Sequence, residues 1–177
     1  MLAAVKVCTC SSPKSFTIPE YMSRRMRRAS SNRSSLAYVV ARLASVAIYS
    51  VKVKLLGKEN ENTLLAASNY AISLNELRRF EEGKALLRKT MPVARRVLGE
   101  SHELTLKLRR NYALALYKGA GATLDDLREA VRTLAEIEPI ARRVLGGAHP
   151  TTEGIEYELR NARAALRARE TPPASQD

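Results

Sequence analysis

The sequence predicts an all-α fold, an α-solenoid of antiparallel helix pairs, and three observations carry that prediction. The hexapeptide Ala94–Gly99, A-R-R-V-L-G, returns letter for letter at Ala141–Gly146. A Leu-Gly turn recurs at Gly57, Gly99 and Gly146, spaced 42 and then 47 residues apart. Ala, Leu and Arg dominate, aromatic residues make up only 5%, and Gly and Pro are scarce, which favours helices over strands. Self-similarity at a fixed long period is the mark of a stacked repeat array.

Composition bounds the rest. The 177 residues, 45% of them apolar, suffice for one domain with a sizeable core. No uncharged apolar run reaches the ~18 residues of a membrane-spanning helix; the nearest stretch, Leu36–Val51, carries Arg42. The net charge of +12 is unevenly placed. Residues 1–58 hold 11 Lys/Arg against Glu20 alone, whereas residues 59–177 hold 19 Lys/Arg against 17 Asp/Glu. Basicity thus belongs to an arm or leader, and a duplex-binding surface on the repeats is disfavoured. Cys8 and Cys10 stand in one C-T-C triplet with no second pair and no nearby His. That is too few ligands for zinc and too few cysteines for a disulfide framework.

In chain order, residues 1–34 form a basic, Ser/Arg-rich segment without helical periodicity. Its composition fits a mitochondrial or plastid transit peptide, or else a disordered basic tail of a cytoplasmic protein. Arg27-Arg28-Ala29-Ser30 matches a short kinase-substrate pattern that is common by chance. Residues 35–57 are apolar nearly all round, so periodicity alone does not separate helix from strand pair. Phasing Leu55-Leu56-Gly57 on Val97-Leu98-Gly99 makes this segment a degenerate helix of an incomplete earlier repeat, packed under the next. Residues 58–170 form the repeat domain, two full units and a closing helix, and 171–177 a disordered tail.

Within the repeats the expected helices are Thr63–Glu76, Phe80–Leu98, Leu104–Lys118, Leu124–Leu145 and Thr152–Arg169. Gly99 and Gly146 suit the left-handed position after a helix end, with Arg95-Arg96 and Arg142-Arg143 at its negative pole. Thr123-x-x-Asp126 reads as a capping box after a loop that absorbs the five extra residues of the second unit. Pro92 and Pro139 share a register seven residues before the repeat glycine, which predicts a kink in each second helix. His102 and His149 fall in the turns and read as cap residues.

The motif Leu98-Gly99-Glu100-Ser101-His102-Glu103-Leu104-Thr105-Leu106, followed by Asn111-Tyr112-Ala113 and Glu129-Ala130, resembles tetratricopeptide repeats of the kinesin light chain type. Asn69-Tyr70-Ala71 and Glu82-Gly83 repeat it in the first unit, and His149-Pro150 in the third copy. The resemblance covers residues 56 to about 168. It implies a right-handed α-solenoid of ~42-residue units, with Tyr70-Ala71 and Tyr112-Ala113 as packing positions. It also implies a concave groove lined by the first helix of each pair, which takes a partner's extended segment.

Helical spacing then assigns the groove-facing positions. In the first unit the candidates are Asn69, Ile72 and Asn75, beside Leu65, Ser68 and Glu76. In the second they are Lys107, Arg110, Asn111, Leu114, Tyr117 and Lys118, with Tyr157 and Asn161 from the closing helix. Lys107, Arg110 and Lys118 make the second half cationic, and the resemblance implies that Asn69 and Asn111 hydrogen-bond a peptide backbone. The expected function is a non-enzymatic protein–protein interaction module or adaptor for an acidic or C-terminal peptide. The alternative is a structural subunit or assembly factor docked in a larger, even organellar, complex. Nucleic-acid binding through the basic arm ranks third, since spacings of 42 and 47 do not fit base-reading helical repeats. No catalytic set, phosphate loop or metal-ligand cluster stands at a workable spacing, so no enzyme activity, small-molecule substrate, cofactor or metal is expected.

Overall fold

The computed structural model describes residues 36–171. Its contacts divide the chain into Met1–Tyr38 and Val39–Asp177, and the helical architecture is that of the second unit. The proposed targeting segment, Cys8, Cys10, the Arg27–Ser30 motif and almost all of the proposed tail lie outside the described residues.

Six helices, and no strand among the described residues, follow one another: α1 Leu36–Leu56, α2 Glu61–Glu76, α3 Phe80–Leu98, α4 Glu103–Lys118, α5 Leu124–Leu145 and α6 Pro150–Glu170. Leu36–Leu56 is therefore a helix, which periodicity alone left open. The connections between helices are three to five residues long, short enough to reverse the chain at each step. Helix α4 touches α2 on one side and α6 on the other; α3 packs against α2 and α4, and α5 against α4 and α6. The result is a row α2–α4–α6, with α3 and α5 laid in the two grooves between its members.

The buried faces keep the repeat register. In α3 the buried line is Gly83, Leu87, Thr90 and Ala94, and in α5 it is Ala130, Leu134, Ile137 and Ala141. Each pair lies 47 positions apart, the same displacement as the hexapeptide. Helix α4, enclosed by four neighbours, buries Leu104, Leu106, Leu108, Tyr112, Ala113, Ala115 and Leu116. That enclosure explains why its sequence looks apolar on more than one side.

The turns use side-chain caps. His102 Nδ1 accepts from the Leu104 N–H and His149 Nδ1 from the Thr151 N–H, each at 3.2 Å. Both histidines thus close helix N-termini, as their place in the turns implied. Thr123 and Asp126 form a reciprocal capping box. The glycines differ from expectation. Gly99 (φ 92°, ψ 164°) and Gly146 (φ 91°, ψ 156°) are not left-handed helical but extended with positive φ, a region open essentially to glycine alone. Helices α3 and α5 run through Pro92 and Pro139 without being divided.

The hexapeptide arginines make ion pairs, of which Arg95–Glu100 and Arg142–Glu156 reach the following unit. Arg96 pairs with Glu59, Arg95 with Glu100 at 3.1 Å, and Arg142 with Glu138 at 2.9 Å and Glu156 at 2.5 Å. The arginines are solvent-exposed, so each pair adds little to stability.

Candidate functional site

The α4–α6 contact is organised around Glu158, which is buried on α6. The Tyr117 hydroxyl donates to Glu158, and Lys118 Nζ lies 3.6 Å from the same carboxylate. The Lys118 ammonium also sits 5.5 Å from the Tyr117 ring centroid. Burial pushes the Tyr117 hydroxyl above its ordinary pKa, and the bond to Glu158 adds to that shift. Tyr117 therefore stays protonated as a donor, and Glu158 stays the acceptor.

Arg110, about two helical turns away on α4, has no such closure. It is half-buried, and among the described residues its guanidinium makes no hydrogen bond or ion pair. Desolvation lowers its pKa, opposed by the charge of Glu158. The space it occupies exists because position 154 is glycine. A Cβ there would overlap the Arg110 guanidinium. Arg110 is thus a partly desolvated cation that feels the charge of Glu158 but makes no ion pair with it.

The neighbouring Arg109 has the opposite character. It is fully buried in the fold and bonds Glu136 at 2.6 Å and Glu100 at 3.5 Å. Its pKa is lowered by desolvation and by the charge of Arg95. Two adjacent arginines thus divide between structure and an open face.

Lys107 is tied within its own helix to Glu103 at 2.7 Å. Glu103 also accepts from the Thr151 hydroxyl at 2.8 Å and stands 3.9 Å from His149 Nε2. Desolvation acts to raise its pKa, but the bonds from Lys107 and Thr151, with the charges of Lys107 and His149, hold it below the usual range. Leu114 is half-buried beside Arg110 on the same helix.

The nine predicted positions therefore split. Lys107, Arg110, Leu114, Tyr117 and Lys118 come together on the α4–α6 side. Asn69 is exposed and Ile72 half-buried on α2. Asn75 and Asn111 are buried in the α2–α4 contact instead of lining an open wall. Asn75 Nδ2 donates to the Asn111 carbonyl at 3.1 Å, and Asn111 Nδ2 to Ser68 Oγ at 3.4 Å. The reason is steric. The short amides bridge α2 and α4, and Gly83 leaves room beside Asn75 Oδ1. Tyr112 is a packing residue, its hydroxyl donating to Glu129 at 2.9 Å and accepting from Arg88 Nε at 3.1 Å.

Glu158, Gly154, Glu103 and Thr151 were not singled out from the sequence for this face. A glycine inside a helix was the available signal at position 154, since it costs about 1 kcal/mol relative to Ala and calls for a packing reason. Among the described residues no group of three or more His, Cys, Asp or Glu could hold a metal ion. No protein-family model, curated protein or solved structure matches this chain. Fold and face together define an all-α protein of repeat-like, sequentially packed helices.

Proposed function

We propose that this chain is a non-enzymatic interaction module of the tetratricopeptide kind, similar to kinesin light chain repeats, built as a right-handed solenoid. In this reading the α2–α4–α6 row is the concave wall. A partner's extended acidic segment lies along it, its carboxylate on Arg110 and an apolar side chain against Leu114 and Ile72. Lys118, exposed Asn69 and Tyr157 border the track. Asn75 and Asn111 hold the wall together from behind.

The single observation that carries the proposal is Arg110. A cation held in partial burial without a carboxylate in ion-pair contact, and only partly compensated by the charge of Glu158, is costly, and an anionic ligand offsets that cost. A carboxylate bound there makes charge-assisted bonds worth about 1.5–3 kcal/mol. Nothing comparable supports a reacting centre on this face, because the Tyr117–Lys118–Glu158 cluster is closed on itself.

The test is a library of acidic peptides with varied apolar anchors, screened against the full chain and titrated by fluorescence anisotropy. Arg110→Ala should weaken the best peptide by roughly tenfold to a hundredfold, and Lys107→Glu/Arg110→Glu should abolish binding with helix content unchanged. Equal binding by that double variant, or no enrichment of any acidic peptide, sinks the proposal.

A further inference from the structure

Helix α1 carries two apolar faces, and the repeat array uses one of them. On the first, the Tyr49 ring lies 5.9 Å from that of Tyr70 on α2, and the Lys52 carbonyl accepts from the Thr63 hydroxyl at 3.3 Å. Val46 and Val53 fall on the same side as Tyr49. At 3.6 residues per turn, Val40, Ala44, Ile48, Val51 and Leu55 fall within an arc of about 80° on the other side. All five are exposed, Leu55 to 77% and Val40, Ile48 and Val51 to 51–54%.

The chemistry beside this arc is one-sided. Lys52 and Lys54 stand at its two edges, and Lys58 follows in the next turn. None of the three makes an ion pair among the described residues. Helix α1 contains no acidic residue, and residues 1–58 carry a net charge of +10, from 11 Lys/Arg against Glu20. No described helix is long and apolar enough to cross a membrane. An apolar arc edged by lysines is the pattern of a helix that lies in a bilayer interface, its apolar side among acyl chains and its amines at headgroup level.

We propose that α1 docks this chain on an anionic lipid surface, with Ile48, Val51 and Leu55 entering the acyl boundary and Lys52, Lys54 and Lys58 meeting the headgroups. Charge selects this occupant. A second copy would bring together two helices that each carry Arg42, Lys52 and Lys54 and no acidic residue, whereas an anionic bilayer complements the apolar arc and the positive charge at once. The docking face lies opposite the side of α1 that packs on α2. It therefore makes no use of Arg110, and membrane binding and peptide binding can fail separately.

The full chain is to be co-sedimented with phosphatidylcholine vesicles and with vesicles containing phosphatidylserine. Wild-type protein is expected to bind the anionic vesicles and to lose binding as salt rises. Ile48→Glu/Val51→Glu should weaken binding by about tenfold or more, since it places charge in the apolar boundary. Lys54→Glu/Lys58→Glu should do so on anionic vesicles, and Ile48→Leu should leave it unchanged. Circular dichroism of each variant verifies that the helices are intact. Failure of the wild type to bind anionic vesicles overturns the proposal. So does undiminished binding by Ile48→Glu/Val51→Glu, which would leave attachment to the basic segment alone. Light scattering adds a third way for it to fail: a concentration-dependent dimer that Ile48→Glu/Val51→Glu converts to monomer assigns the face to a second copy.

Discussion

At the scale of single residues, the three repeat threonines separate register from environment. Thr63, Thr105 and Thr152 occupy one repeat position, and all are almost completely buried. The Thr63 hydroxyl reaches the Lys52 carbonyl, while those of Thr105 and Thr152 have no partner. An unpartnered buried hydroxyl is destabilising, so Thr105→Val and Thr152→Val should each stabilise the fold by about 0.5–1 kcal/mol. Thr63→Val should instead cost about as much, because a bond is lost. Urea unfolding of the three variants checks the contrast, and a common sign would show that the register alone decides. Glycine gives a second test at this scale. With φ at 91°, Gly146→Ala forces a side chain into a region that only glycine tolerates, and should cost about 1–3 kcal/mol. Positive φ after α5 was legible from the position of Gly146. The extended ψ was not, because the departing chain direction is set by where α6 packs. Nor was Arg78, which closes α2 at φ 61° with a residue that does not announce it.

At the scale of elements, the helix limits of α3 and α5 were readable to the residue, because repeat glycines and apolar spacing agreed there, joined in α5 by the Thr123–Asp126 capping box. Helix α6 begins two residues earlier than the apolar pattern implied, since His149 caps it and Pro150 supplies a preformed first turn. The candidate face was legible in part for a similar reason. Spacing tells which side of α4 a residue occupies, but not how near the next helix comes, so exposed Asn69 and buried Asn111 looked alike. Arg109 and Arg110 are a sharper case: only the positions of Glu136 and Gly154 tell them apart. Glu103 is where the elements meet electrostatically, receiving Lys107 of α4 and Thr151 of α6. Its carboxyl is held below the ordinary range, as is that of Asp126 in the capping box, where the bonds from Thr123 act first. A depressed carboxylate pKa means stability that is complete above the unfolded-state value and is lost as pH falls through the folded one. The domain should therefore lose stability in the acid limb at and below about pH 4. Glu103→Gln should flatten that limb in a pH series of thermal melts and leave the neutral-to-alkaline side parallel to wild type. An unchanged acid limb would remove Glu103 from the linkage.

At the scale of the whole unit, the decisive feature is how few repeat-like helix pairs the described residues hold. Each helix pair buries its apolar face only on its neighbours, so stability is a sum of unit and interface contributions. With two pairs and a closing helix, no interior stretch is independent of an end. Helix α4 touches every other repeat helix, and α6 covers both α4 and α5. Removing a fully buried side chain at the centre, Leu108→Ala, should cost about 3 kcal/mol, as should Ile155→Ala on the closing helix. Both residues are inaccessible to solvent, so the transfer and cavity costs are alike. What differs is what each can unfold. If the array is one cooperative body, both variants shift a single transition to lower urea, with coincident circular dichroism and tyrosine fluorescence. If α6 is an independent cap, Ile155→Ala should split off an early phase in Tyr117 and Tyr157 fluorescence while Leu108→Ala does not. The paired bonds across α4–α6, Tyr117 with Glu158 and Thr151 with Glu103, argue for one body. A single transition is the expected result, and it has a functional consequence: the α4–α6 face around Arg110 exists only when the whole array is folded.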